Sequence, residues 1–331
     1  MSVVLLAPTT TLAGDGSTTV SRTLPQRGHL GVGPWWFVDA FGGTQHDGDS
    51  DGGGSGGGGS GGGRFDGGGS AGHPPGGAPH GHAGMQSMTW LFSGALRHTD
   101  GLGTDAVVRA GQVLMFTAGD GAVHTETPVG EEPARGVALG LVLPPHERHR
   151  AASVEEFWPE PVRFGDHEVA IFVGELGWED SPVEVFSPAA GAEVRFASHD
   201  PWTVPIPERW EFGVLALDDP VWVDGIQVPP GHLALVSGQP SFDVSAQADA
   251  GTVVPALVLG GEIPEPFVPW WNFVGADHDE IASWCRDYEA ARGLGDGNAA
   301  RFPLPPGVTP ADLIPAPPLP GVRLLPKHRD Q

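Results

Sequence analysis

The chain of 331 residues is poor in several residue types that commonly build functional sites. Cys285 is its one cysteine, so an internal disulfide and a thiolate metal site are both excluded. Lys327 is the one lysine, and the other basic residues are all arginines. Lysine and arginine number 17 against 41 aspartates and glutamates, which gives a formal net charge of −24. Because binding to a phosphate backbone needs clustered cations, this charge argues against direct contact with nucleic acid.

Long apolar runs are also missing from the sequence. No window approaches the roughly eighteen uninterrupted apolar residues of a membrane-spanning helix, so we expect none. The first residues lack the basic region and the long apolar stretch of a signal peptide, so we expect no secretion. The cytoplasm is therefore the expected location. The negative charge remains compatible with a basic protein partner.

Short strand-like runs, separated by Gly, Pro and Asp, dominate the sequence. They are Val32–Phe41, Met85–Phe92, Ala106–Arg109, Gln112–Thr117, Gly136–Leu143, Glu168–Gly174, Val183–Phe186, Ala192–Ala197, Glu211–Leu217, Val221–Val223, Leu233–Val236 and Thr252–Leu259. This spacing predicts an all-β sandwich or barrel rather than alternating β-α-β units. Asp224 and Gly225 are typical of a tight hairpin turn.

A short internal similarity indicates two related β-domains. Arg109-Ala-Gly-Gln-Val-Leu-Met in the first half is similar to Pro229-Pro-Gly-His-Leu-Ala-Leu in the second. In both, a glycine-centred turn leads into an apolar strand. The similarity is too short to prove a repeat by itself. It nevertheless supports a boundary within residues 144–156, and we predict domains at 1–150 and 151–293.

One helix is predicted over residues 277–292, at the end of the second domain. Asp277 can cap its N-terminus, with Glu280 at the third helical position, and Gly293 supplies a stop. The apolar stripe of this helix consists of Ile281, Trp284, Cys285 and Tyr288. Cys285 is therefore expected to be a buried, small apolar residue.

Two segments have compositions that predict no packed structure. Residues 47–72 are mostly Gly and Ser and are expected to form a mobile insertion in the first domain, either an inert loop or a cover for a nearby pocket. Residues 294–331 form a proline-rich tail, and residues 304–320 within it are expected to be extended. The composition is compatible with a passive tail, with a tail that packs across a domain and with one that binds a partner.

Two short pairs, His80-Gly-His82 and His124-Thr-Glu126, carry the clearest chemical signal. In a β-strand, residues i and i+2 point to the same face, so each pair presents two donor side chains together. If the two strands face one another in a small barrel, three imidazoles and one carboxylate converge. That donor set suits a divalent transition metal with positions left for water or substrate. The nearby His73 and His98 are expected to support the ligands or to be solvated, and His146 and His149 are expected to lie in an exposed linker.

These motifs stand in a particular order along the chain. Pro79-His-Gly-His-Ala-Gly-Met is followed by His98-Thr-Asp-Gly-Leu-Gly, by Arg109-Ala-Gly-Gln-Val-Leu-Met and later by Trp270-Trp-Asn-Phe-Val-Gly. Together they resemble the pirins, which are bicupin proteins of the cupin superfamily. The resemblance covers most of residues 20–292, apart from the Gly-rich insertion.

The resemblance implies an all-β fold of two tandem cupin (jelly-roll) β-barrels with a short C-terminal helix. It also implies a single Fe²⁺, replaceable by other divalent transition metals, held in the first barrel by His80, His82, His124 and Glu126. The second barrel is expected to be free of metal. The implied reaction is of the quercetin 2,3-dioxygenase type, which opens a flavonol ring with loss of carbon monoxide, and Glu126 would also take the substrate's hydroxyl proton. The alternative is a non-enzymatic, iron-containing regulator that binds a transcription factor or a metabolic enzyme.

Two positions depart from the patterns of the relatives that the chain resembles. Gly81 stands where pirins usually have proline, and we expect it to loosen the strand and widen the pocket entrance. Gln86 stands where the general cupin motif has an acidic ligand, which leaves Glu126 as the one carboxylate of the predicted site.

Overall fold

The computed structural model describes residues 2–12, 19–42, 77–177, 179–249 and 251–327. The predicted insertion at 47–72 and the last four residues of the predicted tail lie outside these ranges. Within them the chain forms short strands and one α-helix, so the all-β prediction is confirmed. No helix in these ranges is long and apolar enough to cross a membrane.

The strands follow one another closely along the chain. In the first part they are β1 (Ser2–Leu6), β2 (Thr9–Leu12), β3 (Thr19–Leu24), β4 (Trp35–Phe41), β5 (His80–His82), β6 (Met85–Ser93), β7 (Ala95–Asp100), β8 (Asp105–Arg109), β9 (Val113–Thr117), β10 (Ala122–Val129), β11 (Arg135–Val142) and β12 (Ser153–Phe157). They continue as β13 (Val162–Phe164), β14 (His167–Leu176), β15 (Glu179–Asp180), β16 (Ala189–Phe196), β17 (Trp202–Pro205), β18 (Trp210–Ala216), β19 (Val221–Val223), β20 (Ile226–Val228), β21 (Leu233–Ser237), β22 (Ser241–Ala246), β23 (Val254–Glu262), β24 (Val268–Trp270) and β25 (Phe273–Gly275). The helix α1 covers His278–Ala291.

Four antiparallel sheets form two cupin folds, each built from one large and one small sheet. In the first half the large sheet has the order β12-β9-β6-β11-β4-β3-β2 and the small sheet the order β5-β10-β7-β8. In the second half the large sheet follows β1-β21-β18-β23-β16-β14-β13, and the small sheet has the order β17-β22-β19-β20. The two small sheets use their strands in the same chain order. The fold therefore repeats, as the internal similarity suggests.

The internal similarity marks the same turn in both halves. Gly111 and Gly231 have φ angles of +76° and +74°, in the left-handed region that favours glycine. In each turn the next residue donates its N–H to the carbonyl three residues earlier, at 3.0 Å, and the chain then enters β9 or β21. The predicted hairpin turn is confirmed as well, because Asp224 and Gly225 have φ angles of +50° and +77° between β19 and β20.

A shared apolar core joins the two halves through their large sheets. Alternating residues of β23 face this shared core and the second half's own interior. From the first half, the buried Trp35 donates its indole N–H towards the carbonyls of Ala190 and Gly260, at 3.1 and 3.0 Å. The indole of Trp90 donates to the Glu193 carboxylate at 2.8 Å. Both buried indole N–H groups are thus paired across this contact.

The N-terminal strand of the described chain packs on the second half, and the C-terminal segments pack on the first half. The strand β1 pairs with β21 and forms an edge of the second half's large sheet. In the other direction, β24, β25, α1 and the residues after them cover the small sheet of the first half. Ala83 exchanges backbone hydrogen bonds with Asn272 and Val274, and the Ile314 N–H donates to the Pro79 carbonyl at 3.0 Å. The domain boundaries at residues 150 and 293 stay predictions.

The helix α1 begins and ends where the sequence predicts. The Asp277 carboxylate accepts hydrogen bonds from the backbone N–H groups of Asp279 and Glu280, at 2.9 and 3.0 Å. The Glu280 carboxylate reaches back to the N–H of Ala276. After the last turn, Gly293 takes a φ of +79°. The buried face includes the predicted stripe of Ile281, Trp284, Cys285 and Tyr288.

Cys285 gives a direct test of this burial. Burial, with a smaller contribution from the charge of Glu289, raises the pKa of its thiol to about 12. Since the thiolate is the reactive form, we expect iodoacetamide at neutral pH to label the native protein at least about a hundredfold more slowly than the urea-unfolded chain. Mass spectrometry of timed samples measures both rates. Similar rates would mean that the thiol is exposed in the native protein.

Candidate metal centre

The two predicted donor pairs lie on neighbouring strands of one small sheet. In β5 and β10, His80 is paired with His124 and His82 with Ala122. The strands therefore lie side by side rather than facing one another across a barrel. The alternation of side chains turns all three imidazoles to the inner face, where they are buried.

The Nε2 atoms of the three histidines meet at one place. His124 Nε2 lies 3.1 Å from His80 Nε2 and 3.0 Å from His82 Nε2. His80 Nδ1 lies 3.1 Å from the Ala78 carbonyl, which can only accept, so this Nδ1 carries the hydrogen. His82 Nδ1 lies 3.3 Å from Met85 Sδ and donates in the same way. The Nε2 atoms of both rings therefore present lone pairs to His124.

This arrangement fits a metal ion. A single hydrogen on His124 Nε2 cannot bond fully to the lone pairs of both His80 Nε2 and His82 Nε2. A metal cation can accept a lone pair from each of the three neutral imidazoles. Nitrogen ligands about 2.1 Å from one ion and at right angles lie about 3 Å apart, which matches the observed spacing. Burial, followed by the charges of His80 and His98, holds the pKa of His82 well below its usual range. That ring stays neutral, as metal ligation requires. Phe116 stacks on His124 with centroids 4.7 Å apart and holds its ring in place.

Glu126 lies in a second, overlapping group of donors. Its carboxylate is close to His98 and His124, and these three form a set of mutually near donor atoms that shares His124 with the histidine triad. Glu126 Oε2 accepts a hydrogen bond from the Thr89 hydroxyl at 2.8 Å. Glu126 Oε1 lies 3.8 Å from His98 Nδ1. Its role as a metal ligand stays a prediction.

Asp100 is a candidate that sequence reasoning missed, and His98 is one that it left undecided. Both side chains are fully buried on β7, where His98 is paired with Glu126 and Asp100 with His124. Burial alone would lower the pKa of His98, but the hydrogen bond to Asp100 and the negative charge of the nearby Glu126 outweigh it and raise the pKa to about 9. The signal was available, because His98-Thr-Asp100 has the same i, i+2 spacing as the two recognised pairs.

A small cavity separates these donors from the large sheet of the first half. Its volume is about 20 Å³, which is room for about one water molecule. The walls from the large sheet are Phe37, Ser87, Met88, Thr89 and Ala138. Phe37 is the largest of them, and its ring lies against Gly140, where an added Cβ would meet the ring at 2.0 Å. Anything larger than water needs these side chains to move.

Gly81 faces away from the cavity, towards the C-terminal part of the chain. A Cβ at this position would lie 2.7 Å from the ring of Tyr288 and 3.1 Å from that of Phe302. The expectation that Gly81 widens the pocket entrance is therefore wrong. The missing side chain instead lets two aromatic rings pack against the outer side of the ligand-bearing strand.

Gln86 joins the two halves of the protein instead of taking part in the donor set. Its amide nitrogen donates to Thr117 Oγ1 and to the Glu184 carbonyl, both at 3.0 Å. Its amide oxygen accepts from the N–H of Phe186 at 3.3 Å. The predicted strand Val183–Phe186 is wrong, because two of its backbone groups bind this side chain rather than a neighbouring strand.

The second half carries apolar side chains at the positions that match the four predicted ligands. Strand order and register align β17 with β5 and β22 with β10. The matched residues are Trp202 for His80, Val204 for His82, Val244 for His124 and Ala246 for Glu126. All four belong to the apolar core of the second half, and none offers a metal ligand.

The remaining predicted histidines lie away from this centre. The side chains of His146 and His149 are 78% and 60% exposed, as predicted. The ring nitrogens of His149 lie 2.7 and 2.9 Å from carboxylate oxygens of Asp120 and Glu280, so this side chain links the first half to the start of α1. His73 lies outside the described residues.

Comparisons with known families and proteins agree with this geometry. The family models described as pirin and as the pirin C-terminal cupin domain match residues 66–139 and 191–293. A Pseudomonas aeruginosa protein that bears the provisional name quercetin 2,3-dioxygenase is 31% identical over 313 residues. That alignment covers 92% of this chain and 87% of the relative.

Solved structures show the same fold over nearly the whole chain. The crystal structure of a quercetin 2,3-dioxygenase from Acinetobacter baumannii has a TM-score of 0.78 and 25% identity, with 97% of each chain covered. A bacterial pirin from Escherichia coli, solved in complex with nickel(II), has a TM-score of 0.57 and 13% identity, with 80% of this chain and 100% of the other covered. With a cupin fold in both halves and a three-histidine site suited to a metal, the chain belongs to the pirin family.

Proposed function

We propose that this protein is an iron-dependent dioxygenase that opens the ring of a flavonol or a related enolizable phenol. The observation that carries the proposal is the meeting of the His80 and His82 Nε2 atoms with His124 Nε2, at 3.1 and 3.0 Å. Three imidazoles with one nearby carboxylate leave coordination positions open, as oxygenase sites require. The names of the relatives from Pseudomonas and Acinetobacter support the same chemistry.

The side chains of the proposed site have different roles. The three imidazoles would hold the metal, which when bound supplies Lewis acidity to a substrate hydroxyl. Glu126 is proposed as the fourth ligand and as the base that takes the hydroxyl proton. Because Thr89 already donates to Glu126 Oε2, Oε1 is the oxygen left to receive that proton. The buried position of the three histidines excludes bulk water from this transfer.

Substrate entry requires the cavity to enlarge. The cavity beside the donors has room for about one water molecule, which is far less than a flavonol needs. The ring of Phe37 is the largest side chain in the cavity wall on the side of the large sheet, so we propose that it turns away when a substrate binds. The side chains of Ser87 and Thr89 would then offer hydroxyl groups to a polar ring substituent.

Oxygen uptake by the iron-loaded protein with quercetin tests the proposed activity. We expect the wild-type protein to consume oxygen and release carbon monoxide. The variant His82→Ala should lose at least about a hundredfold in rate, because removal of a ligand removes the metal. The matched control His146→Ala changes an exposed histidine and should keep the wild-type rate. Equal oxygen uptake by wild type and His82→Ala would contradict the proposal.

A role as an iron-containing regulator stays a prediction, as do the cytoplasmic location and the protein partner. The net charge of −24 favours a partner with a basic surface. A stable partner whose binding changes when the iron is oxidised, together with no turnover of any phenol, would favour this second role.

A further inference from the structure

Inside the first half, His98 and Asp100 form a buried polar pair to which the proposed reaction assigns no task. Both side chains are 0% exposed. His98 Nε2 donates to Asp100 Oδ2 at 3.1 Å. Asp100 Oδ1 accepts the backbone N–H groups of Leu102 and Thr104, at 2.8 and 3.0 Å. The loop after β7 therefore fixes the carboxylate, and the carboxylate fixes the imidazole ring.

The other edge of this ring faces Glu126. His98 and Glu126 are paired directly across β7 and β10, with His98 Nδ1 3.8 Å from Glu126 Oε1. Within the described part of the chain, this Nδ1 is buried and has no hydrogen-bond partner. On the opposite side, Thr89 donates to Glu126 Oε2 at 2.8 Å. The carboxylate therefore lies between a hydroxyl of the large sheet and an imidazole of the small sheet.

The second half has the same strands without the polar pair. By strand order and register, β19 takes the place of β7, and Val221 and Val223 take the positions of His98 and Asp100. Both valines belong to the apolar core. The pair is thus present in the half that has the donor set and absent in the half whose ligand positions are apolar.

The comparison of the two halves shows whether the polar pair is required by the fold or by the donor set. The same strand arrangement is filled in the second half by two valines, so the fold does not require a polar pair there. Apolar side chains in place of a buried ion pair are often neutral or stabilising. A contact that only the first half makes, the one with Glu126, accounts for the pair. We infer that His98, anchored by Asp100, is a positioning residue that holds the Glu126 carboxylate beside the three-histidine centre. This inference rests on the proposed metal site.

The double variant His98→Val/Asp100→Val tests this inference, because it gives the first half the two valines that the second half has at the matching positions. Titration with Ni²⁺ alone, followed by calorimetry, should show an affinity about 10- to 100-fold below that of the wild type. The melting temperature of the metal-free double variant should stay within about 4 °C of the wild-type value. A purely structural pair would give the reverse, with a lower melting temperature and an unchanged affinity for Ni²⁺.

A second variant keeps the test independent of the valine substitutions. Asp100→Asn retains an amide oxygen for Leu102 and Thr104 but loses the acceptor for His98 Nε2, so Ni²⁺ affinity should fall by about tenfold. The matched control His167→Val removes a buried histidine of the second half. It should leave the affinity for Ni²⁺ unchanged.

Two results would overturn the inference. An affinity for Ni²⁺ within about twofold of wild type in both variants would show that Glu126 needs no such anchor. A fall of more than about 10 °C in the melting temperature of the metal-free double variant would show that the pair serves the fold. Failure of the wild-type protein to bind Ni²⁺ would remove the proposed metal site and the inference together, and the wild-type titration alone identifies that case.

Discussion

Replacing His124 with alanine is expected to lower the affinity for Ni²⁺ by at least about a hundredfold, since even residues behind the ligands change metal affinity by 10- to 100-fold. His124 contributes the nitrogen that lies within 3.1 Å of the other two, so its loss opens the centre of the donor set. Calorimetric titration of both proteins, purified without a polyhistidine tag, measures the difference.

The fold itself should tolerate this change. The three Nε2 atoms lie close together without a metal, so removal of the His124 imidazole relieves this crowding. The circular dichroism spectrum should therefore be unchanged. His146→Ala serves as the matched control because that side chain is 78% exposed and lies outside the donor groups. An affinity in His124→Ala close to that of wild type would mean that the metal binds elsewhere.

Replacing Trp35 with alanine is expected to lower the free energy of unfolding by about 4 kcal/mol, the usual range for a large aromatic residue in a core. The side chain is fully buried between the large sheets of the two halves. The substitution also deprives the carbonyls of Ala190 and Gly260 of their shared indole donor. Urea denaturation monitored by circular dichroism gives the change from the transition midpoint and slope.

Trp35→Phe separates the apolar contribution from the hydrogen bonds. It keeps most of the buried ring but loses the N–H, so we expect a smaller loss of about 1–2 kcal/mol. The edge-to-face contact with Phe172, at 6.4 Å between centroids, should be retained in part. A loss below about 1 kcal/mol in Trp35→Ala would show that the two halves do not depend on this contact.

Short sequence patterns predicted the features that are determined by residues close together in the chain, namely strand faces, helix ends and turns. The spacing of His80 with His82, and of His124 with Glu126, gave the inner faces of β5 and β10 because alternation in a strand is fixed by backbone geometry. The ends of α1 followed from Asp277 and Gly293, which act within one turn. Turns at glycines were equally clear, because positive φ angles restrict the residue type.

Contacts between residues far apart in sequence were not predictable in this way. Gln86 binds the carbonyl of Glu184 and the N–H of Phe186, so these backbone groups do not pair with a strand although residues 183–186 alternate as a strand does. The close approach of Tyr288 to Gly81 joins positions about two hundred residues apart, so no window of sequence contains both. The role of His98 stayed undecided for a different reason, since it depends on which strand β7 pairs with.

The exchange of chain ends between the two halves has a consequence for synthesis on the ribosome. The strand β1 is made before its partner β21, which follows more than two hundred residues later in the chain. The outer face of the small sheet of the first half likewise stays exposed to solvent until the residues around Tyr288 and Ile314 have emerged from the ribosome. Until those later segments have emerged, a nascent chain therefore carries an unpaired strand edge and an uncovered apolar face, which expose it to aggregation and to chaperones.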